Sequence, residues 1–169
     1  MSTIKLKGNE IHTNGELPEI GTVAPNFLLT TIDLSDKYLN QYFGKKVILN
    51  IFPSVDTAVC SMSVRKFNEG ISAIDNAIVL CISRDLPFAQ SRFCGAEGIK
   101  DVEMLSEMRD MQFGKDYGLR IVDGPMSGLL SRVVIVISSE GKVVYTEQVP
   151  DIVQEPDYQK AFDAARNCS

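Results

Sequence analysis

Two apolar runs of strand length enclose a stretch with helical spacing near the middle of the chain. The runs are Lys46–Phe52, KVILNIF, which Pro53 ends, and Ala77–Ser83, AIVLCIS. Between them, apolar residues recur at spacings typical of one face of an amphipathic helix, at Cys60, Val64, Phe67, Ile71 and Ile74. Because both strands are apolar throughout, the pattern predicts a βαβ unit in a parallel sheet.

The second half of the chain predicts further helices and strands. In order, they are a helix, a strand, a short helix, an antiparallel hairpin and a closing helix, at Asp85–Cys94, Asp101–Leu105, Arg109–Tyr117, Arg132–Ser138 with Lys142–Gln148, and Pro156–Arg166. Asp85 is the candidate N-cap of the first of these helices, and Gly95 is its candidate stop.

An N-terminal β-hairpin is predicted ahead of the βαβ unit. Two short alternating runs, Thr3–Lys7 and Glu10–Thr13, flank Gly8-Asn9, and a short strand follows at Asn26–Thr31. A βαβ half followed by a ββα half is the order of elements in a thioredoxin-like α/β fold. We therefore expect residues 1–169 to form a single thioredoxin-like domain with an N-terminal β-hairpin extension.

The composition is that of an ordinary globular protein, with 44% hydrophobic and 23% charged residues among 169. The net charge is −5, and no run of Lys or Arg is long enough to follow a phosphate backbone, which argues against nucleic acid as a partner. The first twenty residues hold no continuous apolar stretch, and no later stretch approaches the roughly 20 apolar residues that a membrane helix needs. We expect a cytoplasmic protein without a membrane partner.

Four cysteines and a single histidine limit the chemistry that the chain can carry. Cys60, Cys81, Cys94 and Cys168 include no C-x-x-C pair, so the chain lacks both the zinc-ribbon spacing and the thioredoxin redox motif. His12 is expected at the surface of the N-terminal segment, which leaves little for Cys–His catalysis or histidine metal sites. We expect neither a metal nor another cofactor.

Cys60 follows the first core strand in a position that suits a nucleophile. Sites in open α/β sheets form at the carboxyl ends of strands, where helix N-termini point. If Thr57 is the N-cap, Cys60 lies in the first helical turn, where a backbone N–H and the helix dipole favour thiolate over thiol. However, Cys60 also lies on the apolar face of its helix, and a nearby Asp56 charge would oppose the thiolate. Position alone leaves a functional cysteine and a core-packing cysteine evenly balanced.

Pro53, Thr57 and Cys60 match the pattern P-x-x-x-T-x-x-C, which resembles the peroxidatic signature of the peroxiredoxins. Further segments resemble the bacterial thiol peroxidase subfamily, in the expected order along nearly the whole chain: KGNEI at 7–11, RKFNEG at 65–70, SRDLPFAQSRFCGAEGI at 83–99, FGKDYG at 113–118 and QEPDY at 154–158. The chain departs from the pattern at Ala58, where the subfamily often has proline. That departure concerns local rigidity only.

The resemblance implies roles for five residues. Cys60 would be the peroxidatic cysteine, which attacks a hydroperoxide and becomes a sulfenic acid, and Cys94 the resolving cysteine, which closes an intrachain disulfide with it. Thr57 would hydrogen-bond the thiolate and the peroxide, Pro53 would shield the sulfur from water, and Arg132 would offer forked donors to both sulfur and oxygen. On position alone, the alternative for Cys94 is a structural buried thiol, whereas position favours Arg132 as a surface residue that caps a strand.

The resemblance further implies a peroxidase without metal, haem or flavin, which is recycled by thioredoxin and forms homodimers. Organic (alkyl or lipid) hydroperoxides are the expected substrates, with hydrogen peroxide beside them. Disulfide closure requires Cα atoms within about 7 Å, so we expect both cysteine-bearing segments to unwind locally during turnover. The alternatives are a redox-sensing interaction module switched by the same disulfide, and a dithiol oxidoreductase, against which the absence of C-x-x-C argues.

Other apolar and thiol side chains admit simpler interpretations. Phe88, Phe93 and Ile99 form a stripe that would line an apolar substrate groove or pack in the core, with neither favoured by position. Cys81 lies inside an apolar strand and is expected to be a small core residue. Cys168 is the penultimate residue and is expected to be an exposed thiol on a frayed tail.

Overall fold

The chain forms nine β-strands and four α-helices, and the computed structural model describes all residues from 1 to 169. The strands are β1 Thr3–Leu6, β2 Asn9–His12, β3 Leu28–Thr31, β4 Asp36–Tyr38, β5 Lys46–Ile51, β6 Ala77–Ser83, β7 Glu103–Ser106, β8 Val133–Ile137 and β9 Val143–Gln148. The helices are α1 Ala58–Gly70, α2 Pro87–Glu97, α3 Gln112–Asp116 and α4 Tyr158–Asn167. None of these helices is long and apolar enough to span a membrane.

Seven of the strands form one sheet in the order β4-β3-β7-β6-β5-β8-β9. β5 and β6 pair in parallel on either side of α1 in the sequence, as the apolar pattern predicts, and β7 continues the parallel part. β8 and β9 form the predicted antiparallel hairpin against the other edge of β5. This order confirms the thioredoxin-like α/β fold, to which β3 and β4 add an antiparallel pair at the far edge.

The central strands are buried because each face of the sheet carries its own apolar core. Val47, Leu49 and Ile51 of β5 face one core, which α3 closes with aromatic side chains. Ile48 and Phe52 face the opposite core, which lies under α1, α2 and α4. Alternate residues of one strand thus enter different cores. Burial on both faces explains why these strands are apolar throughout.

The predicted N-terminal hairpin is confirmed as a separate two-stranded sheet. Its isoleucines pack with two from much later in the chain, in a small cluster of Ile4, Ile11, Ile121 and Ile152. The Asp151 carboxylate accepts hydrogen bonds from the backbone amides of Lys7 and Gly8 at the hairpin turn, at 3.0 and 2.9 Å. The N–H of Ile152 donates to the carbonyl of Lys5 at 2.9 Å. The segment after β9 therefore fixes the position of the hairpin.

The second helix begins and ends later than predicted, at Pro87 and Glu97. Asp85 is not its N-cap, because the carboxylate of Asp85 accepts hydrogen bonds from other donors. Proline suits the first helical position, where its missing N–H needs no partner. Gly95 lies inside the helix and does not stop it. The helix ends instead at Glu97, and the residue that caps it is Gly98, whose backbone is left-handed with φ 66°.

Other predicted boundaries shift by a few residues. The strand predicted from Asp101 begins at Glu103. The short helix predicted for Arg109–Tyr117 covers only Gln112–Asp116, because the Asp110 carboxylate accepts from the N–H of Gln112 and holds the preceding residues in a turn. The edge strand β4 was absent from the predicted elements, since its three residues show no apolar alternation.

Candidate active site

The N-terminus of α1 fixes the position of Cys60. Thr57 is the N-cap, as predicted, and its Oγ1 accepts a hydrogen bond from the N–H of Cys60 at 3.3 Å. This bond satisfies one of the free amides of the first helical turn. The side chain of Cys60 is fully buried and belongs to the apolar core under α1. Cys60 therefore lies both at the N-terminal end of α1 and in the apolar core, the two positions between which its sequence could not decide.

Arg132 lies beside the sulfur of Cys60. Its Nη2 donates to Cys60 Sγ at 3.2 Å, and its Nε donates to the carbonyl of Ile152 at 2.7 Å. Arg132 precedes β8, which pairs with β5 so that Val133 lies opposite Ile51 at the end of β5. The start of β8 and the loop to Cys60 therefore both lie at the carboxyl end of β5. Arg132 is 1% exposed, so its interpretation as a surface residue is wrong.

The guanidinium of Arg132 is a buried positive charge that makes no ion pair with a carboxylate. Its hydrogen-bond partners are the sulfur of Cys60 and the backbone carbonyl of Ile152, and its Nη1 is buried without a partner. A buried charge without a counter-ion is costly. An anionic sulfur at Cys60 is the group in contact that can balance this charge. The free Nη1 is a donor that can bind an incoming oxygen.

Asp56 does not place its charge beside the buried sulfur. Its carboxylate is exposed to solvent, and its charged partner is Arg92 at 3.5 Å on the surface. Water screens a charge in this position from the protein interior. The opposing effect that the sequence suggested for Asp56 is therefore weak.

A cavity of about 730 Å³ opens next to Thr57 and Arg132. We call it the Arg132 cavity; it is lined by Leu6, Lys7, Asn9, Ile11, Thr57, Ala58, Val59, Pro125, Met126, Arg132, Ile152 and Val153. Most of these side chains are apolar, and the hairpin of β1 and β2 provides one wall. Pro53 is buried but does not line this cavity. The cavity can hold a molecule with a substantial apolar part next to a buried cation.

Cys94 lies in the last turn of α2 and is half-buried. Neither Cys94 nor Cys60 forms a disulfide in this structure, and Cys94 packs against the apolar core that contains Cys60. The carbonyl of Cys94 accepts from the amides of Gly98 and Ile99, which close the helix end. Burial raises the pKa of the Cys94 thiol above its ordinary value. In the folded helix, Cys94 is thus protonated at neutral pH.

The stripe of Phe88, Phe93 and Ile99 does not form a groove beside Cys60. Phe93 and Ile99 are buried in the core beneath α2, as the core-packing interpretation has it, and Ile99 also borders a cavity that Cys94 lines. Phe88 is 66% exposed. None of the three lines the Arg132 cavity.

The other two cysteines and the histidine lie outside this site. Cys81 is fully buried in β6, as predicted, and burial raises its pKa to about 12. Cys168 is half-buried and donates to the carbonyl of Ala165, so it is less exposed than predicted. His12 lies at the hairpin, partly exposed, with its Nδ1 2.7 Å from the Asp123 carboxylate.

Sequence reasoning missed the place of Asp85 in the site. Its carboxylate accepts from Ser54 Oγ at 2.7 Å, from the N–H of Val55 at 2.8 Å and from Ser83 Oγ at 2.6 Å. Ser54 and Val55 belong to the loop that leads to Cys60. The signal was present in the sequence, because Asp85 and this loop follow adjacent parallel strands, whose carboxyl ends meet at one edge of a sheet.

Residues 19–162 of the chain match the Redoxin family. Thiol peroxidases of Mycobacterium tuberculosis and Mycobacterium bovis are each 56% identical to the chain over 164 residues, which cover 97% of this chain and 98% of each relative. The relationship therefore includes the whole of the site as well as the fold.

Solved structures agree with this relationship. A peroxiredoxin-like protein from Aquifex aeolicus superposes with a TM-score of 0.92 at 35% identity, over 98% of this chain and 96% of that protein. A thiol peroxidase from Chromobacterium violaceum superposes with a TM-score of 0.89 over 96% of this chain and 95% of its own. At 21% identity, the second comparison supports the fold alone.

We expect Cys81 to resist alkylation in the folded protein. Because burial raises its pKa to about 12, Cys81 is a thiol at pH 8, whereas the thiolate is the reactive form. Treatment with iodoacetamide at pH 8, followed by peptide mass spectrometry, should label Cys168 well before Cys81. The same treatment in urea is the control and should label both. Equal labelling rates in the folded protein would contradict the burial of Cys81.

Proposed function

The chain belongs to the Redoxin family as a thiol peroxidase of the peroxiredoxin type, and from this premise we propose that Cys60 is its peroxidatic cysteine. The thiolate of Cys60 attacks the terminal oxygen of a hydroperoxide ROOH, and the O–O bond breaks. The sulfur becomes a sulfenic acid, and the leaving oxygen takes up a proton and departs as the alcohol ROH. Water departs instead when the substrate is hydrogen peroxide.

The contact between Arg132 and Cys60 is the single observation that carries this proposal. Nη2 of Arg132 donates to the sulfur at 3.2 Å, so a fixed positive charge lies beside the nucleophile. The unpartnered Nη1 provides a second donor for the negative charge that develops on the peroxide oxygen. Thr57 supports the same proposal, because its hydroxyl accepts from the N–H of Cys60 and the residue lines the Arg132 cavity. Buried Pro53 would keep water from the sulfur.

We expect Arg132→Met to lower kcat/KM for hydroperoxides by about 100- to 1000-fold, which is typical of losing a donor that stabilises developing charge. Arg132→Lys should recover part of this loss, because it keeps the charge but not the forked donors. Arg166→Met, at an exposed arginine of α4, is the matched control and should stay near wild type. Stopped-flow oxidation of Cys60 measures the step directly. Wild-type rates for Arg132→Met would overturn the proposed role of Arg132.

The Arg132 cavity is larger and more apolar than hydrogen peroxide needs, and it suits an organic hydroperoxide better. The cavity is mostly apolar and is far larger than a peroxide group. Burial of an apolar substituent there adds binding energy that hydrogen peroxide cannot gain. We therefore propose that alkyl or lipid hydroperoxides are the preferred substrates and that hydrogen peroxide is a poorer one.

Met126 offers a test of this substrate preference, since it lines the Arg132 cavity. Met126→Glu should lower kcat/KM for cumene hydroperoxide about tenfold, because a single buried apolar side group contributes about 1.5 kcal/mol or more. The value for hydrogen peroxide should change little. Met126→Leu conserves the apolar volume and serves as the control. Equal losses for both substrates would show that the cavity does not bind the organic part.

Cys94 is proposed as the resolving cysteine, which attacks the sulfenic acid of Cys60, closes an intrachain disulfide and releases water. Both residues lie in intact helices that pack on the same core, and Cys60 is fully buried. The two helix ends must therefore unwind before the sulfurs can meet. Unwinding also returns Cys94 to water, which relieves the burial that raises its pKa and makes the thiolate available. Thioredoxin is the proposed reductant, while a homodimer and a cytoplasmic location remain predictions.

The proposed disulfide has a distinctive chemical signature. One equivalent of hydroperoxide should give a Cys60–Cys94 link within a monomer, seen by mass spectrometry of non-reduced peptides. Cys94→Ser should stop at the sulfenic acid, which excess peroxide oxidises further. Cys60→Ser should abolish thioredoxin-coupled turnover, and Cys168→Ser should keep it. Turnover that survives Cys60→Ser, or a Cys60 bridge between chains, would contradict the mechanism; a redox-sensing module would form the link without sustained turnover.

A further inference from the structure

We propose that Asp85 is a positioning residue that holds the loop before Cys60 and the helix of Cys94 in their folded, reduced arrangement. This inference deepens the proposed function and rests on its Cys60–Cys94 disulfide. Asp85 lies between the two segments. It follows the carboxyl end of β6, which is next to the carboxyl end of β5, and it precedes α2. Its carboxylate is hydrogen-bonded directly to the loop before Cys60 and, through Ser83, to Gln90 of α2.

The loop between β5 and α1 depends on this carboxylate for its polar contacts with the rest of the protein. Ser54 Oγ donates to one carboxylate oxygen at 2.7 Å, and the N–H of Val55 donates to the other at 2.8 Å. At the start of the loop, the N–H of Phe52 donates to the carbonyl of Ile82 at 3.1 Å and so continues the pairing of β5 with β6. The other hydrogen bonds of the loop join its own residues or the first turn of α1. Its remaining outward contact is the exposed pair of Asp56 with Arg92, which is weakened by solvent. Asp85 therefore carries most of the polar attachment of this loop.

The same carboxylate is connected to α2 through two further side chains. Ser83 Oγ donates to Asp85 at 2.6 Å, and Gln90 Nε2 donates to Ser83 Oγ at 3.3 Å. Gln90 is fully buried and also donates to the carbonyl of Leu105 at 2.9 Å. It lies one helical turn before Cys94, on the same side of α2. The network thus runs from the loop of Cys60 to the helix of Cys94.

Loss of the hydrogen bonds to the Asp85 carboxylate should raise the population of the unwound form, while most molecules stay folded. Hydrogen bonds to a charged carboxylate are among the stronger ones in proteins, so removing the charge should raise the unwound population by about tenfold or more. If the folded form begins at about 99% occupancy, a tenfold shift leaves it at about 90%. Attack on the hydroperoxide, which uses the folded form, would then hardly slow. Disulfide closure, which uses the unwound form, would accelerate about tenfold.

The attachment also decides how long the sulfenic acid of Cys60 stays in the folded site. While it stays there, a second hydroperoxide molecule can oxidise it to a sulfinic acid and leave as the alcohol. Faster unwinding shortens this period. Asp85 therefore sets the balance between disulfide closure and over-oxidation, although it touches neither sulfur.

Asp85→Asn tests the proposal, because asparagine keeps the size of the side chain but cannot accept from all of these donors. We expect disulfide closure about tenfold faster than in wild type, oxidation of Cys60 by cumene hydroperoxide within about twofold, and proportionally less sulfinic acid at excess peroxide. Stopped-flow kinetics and mass spectrometry give the three values. Asp56→Asn, in the same loop but exposed, is the matched control and should change none of them. Faster hydrogen exchange at the Val55 amide should accompany the effect.

Two further variants keep the proposal open to refutation. If Asp85→Asn folds poorly, Ser54→Ala removes one of the donors and should accelerate closure about threefold or more. Closure rates within twofold of wild type in both variants, or parallel slowing of peroxide attack and closure, would overturn the role of Asp85. Cys94→Ser separates the two proposals. If rapid closure persists in Cys94→Ser, the proposed disulfide is wrong, whatever Asp85 does.

Discussion

The buried charge of Arg132 is the constraint on which the site depends. A guanidinium removed from water costs several kcal/mol unless its surroundings compensate it, and here no carboxylate does so. Three parts of the chain must therefore meet at this group: the start of α1 with the sulfur of Cys60, the start of β8, and the carbonyl of Ile152. The thioredoxin-like sheet brings the first two together because β5 and β8 are neighbours. The segment after β9 brings the third, and with it the hairpin that walls the cavity.

The site also has to meet two opposite requirements. In the proposed mechanism, attack on a hydroperoxide would need Cys60, Thr57 and Arg132 to be held firmly, whereas closure of the disulfide would need the start of α1 and the end of α2 to open. The structure separates the two requirements by location. The firm contacts of Arg132 lie in the sheet and the segment after it, which need not move. The segments that would open in the proposed mechanism are short, lie at helix ends and are held by a few polar contacts over an apolar core.

Local rules predict those features of the site that depend on neighbours in sequence. Because Cys60 comes three residues after Thr57, an N-cap at Thr57 places Cys60 in the first helical turn. The βαβ unit follows from two apolar strands on either side of a segment with helical spacing. Arg132 could be assigned a role only by family resemblance, because its burial results from contacts many residues away. The carbonyl of Ile152 leaves no trace in the sequence, since every residue has one. Asp85 satisfied the local rule for an N-cap. Its carboxylate instead accepts hydrogen bonds from Ser54 and Val55, which follow the adjacent strand β5.

The N-terminal hairpin is synthesised well before the residues that fix its position. Its two isoleucines pack against Ile121 and Ile152, and its turn is fixed by Asp151. At about 5–20 residues per second, the ribosome needs on the order of ten seconds to reach these partners after the hairpin has been made. During that time, the sheet around β5 and β6 can assemble, but the hairpin has nothing to pack on. One wall of the Arg132 cavity is therefore completed only after Ile152 has been made, so that a nascent chain that stops before this residue carries Cys60 and Cys94 without the complete cavity.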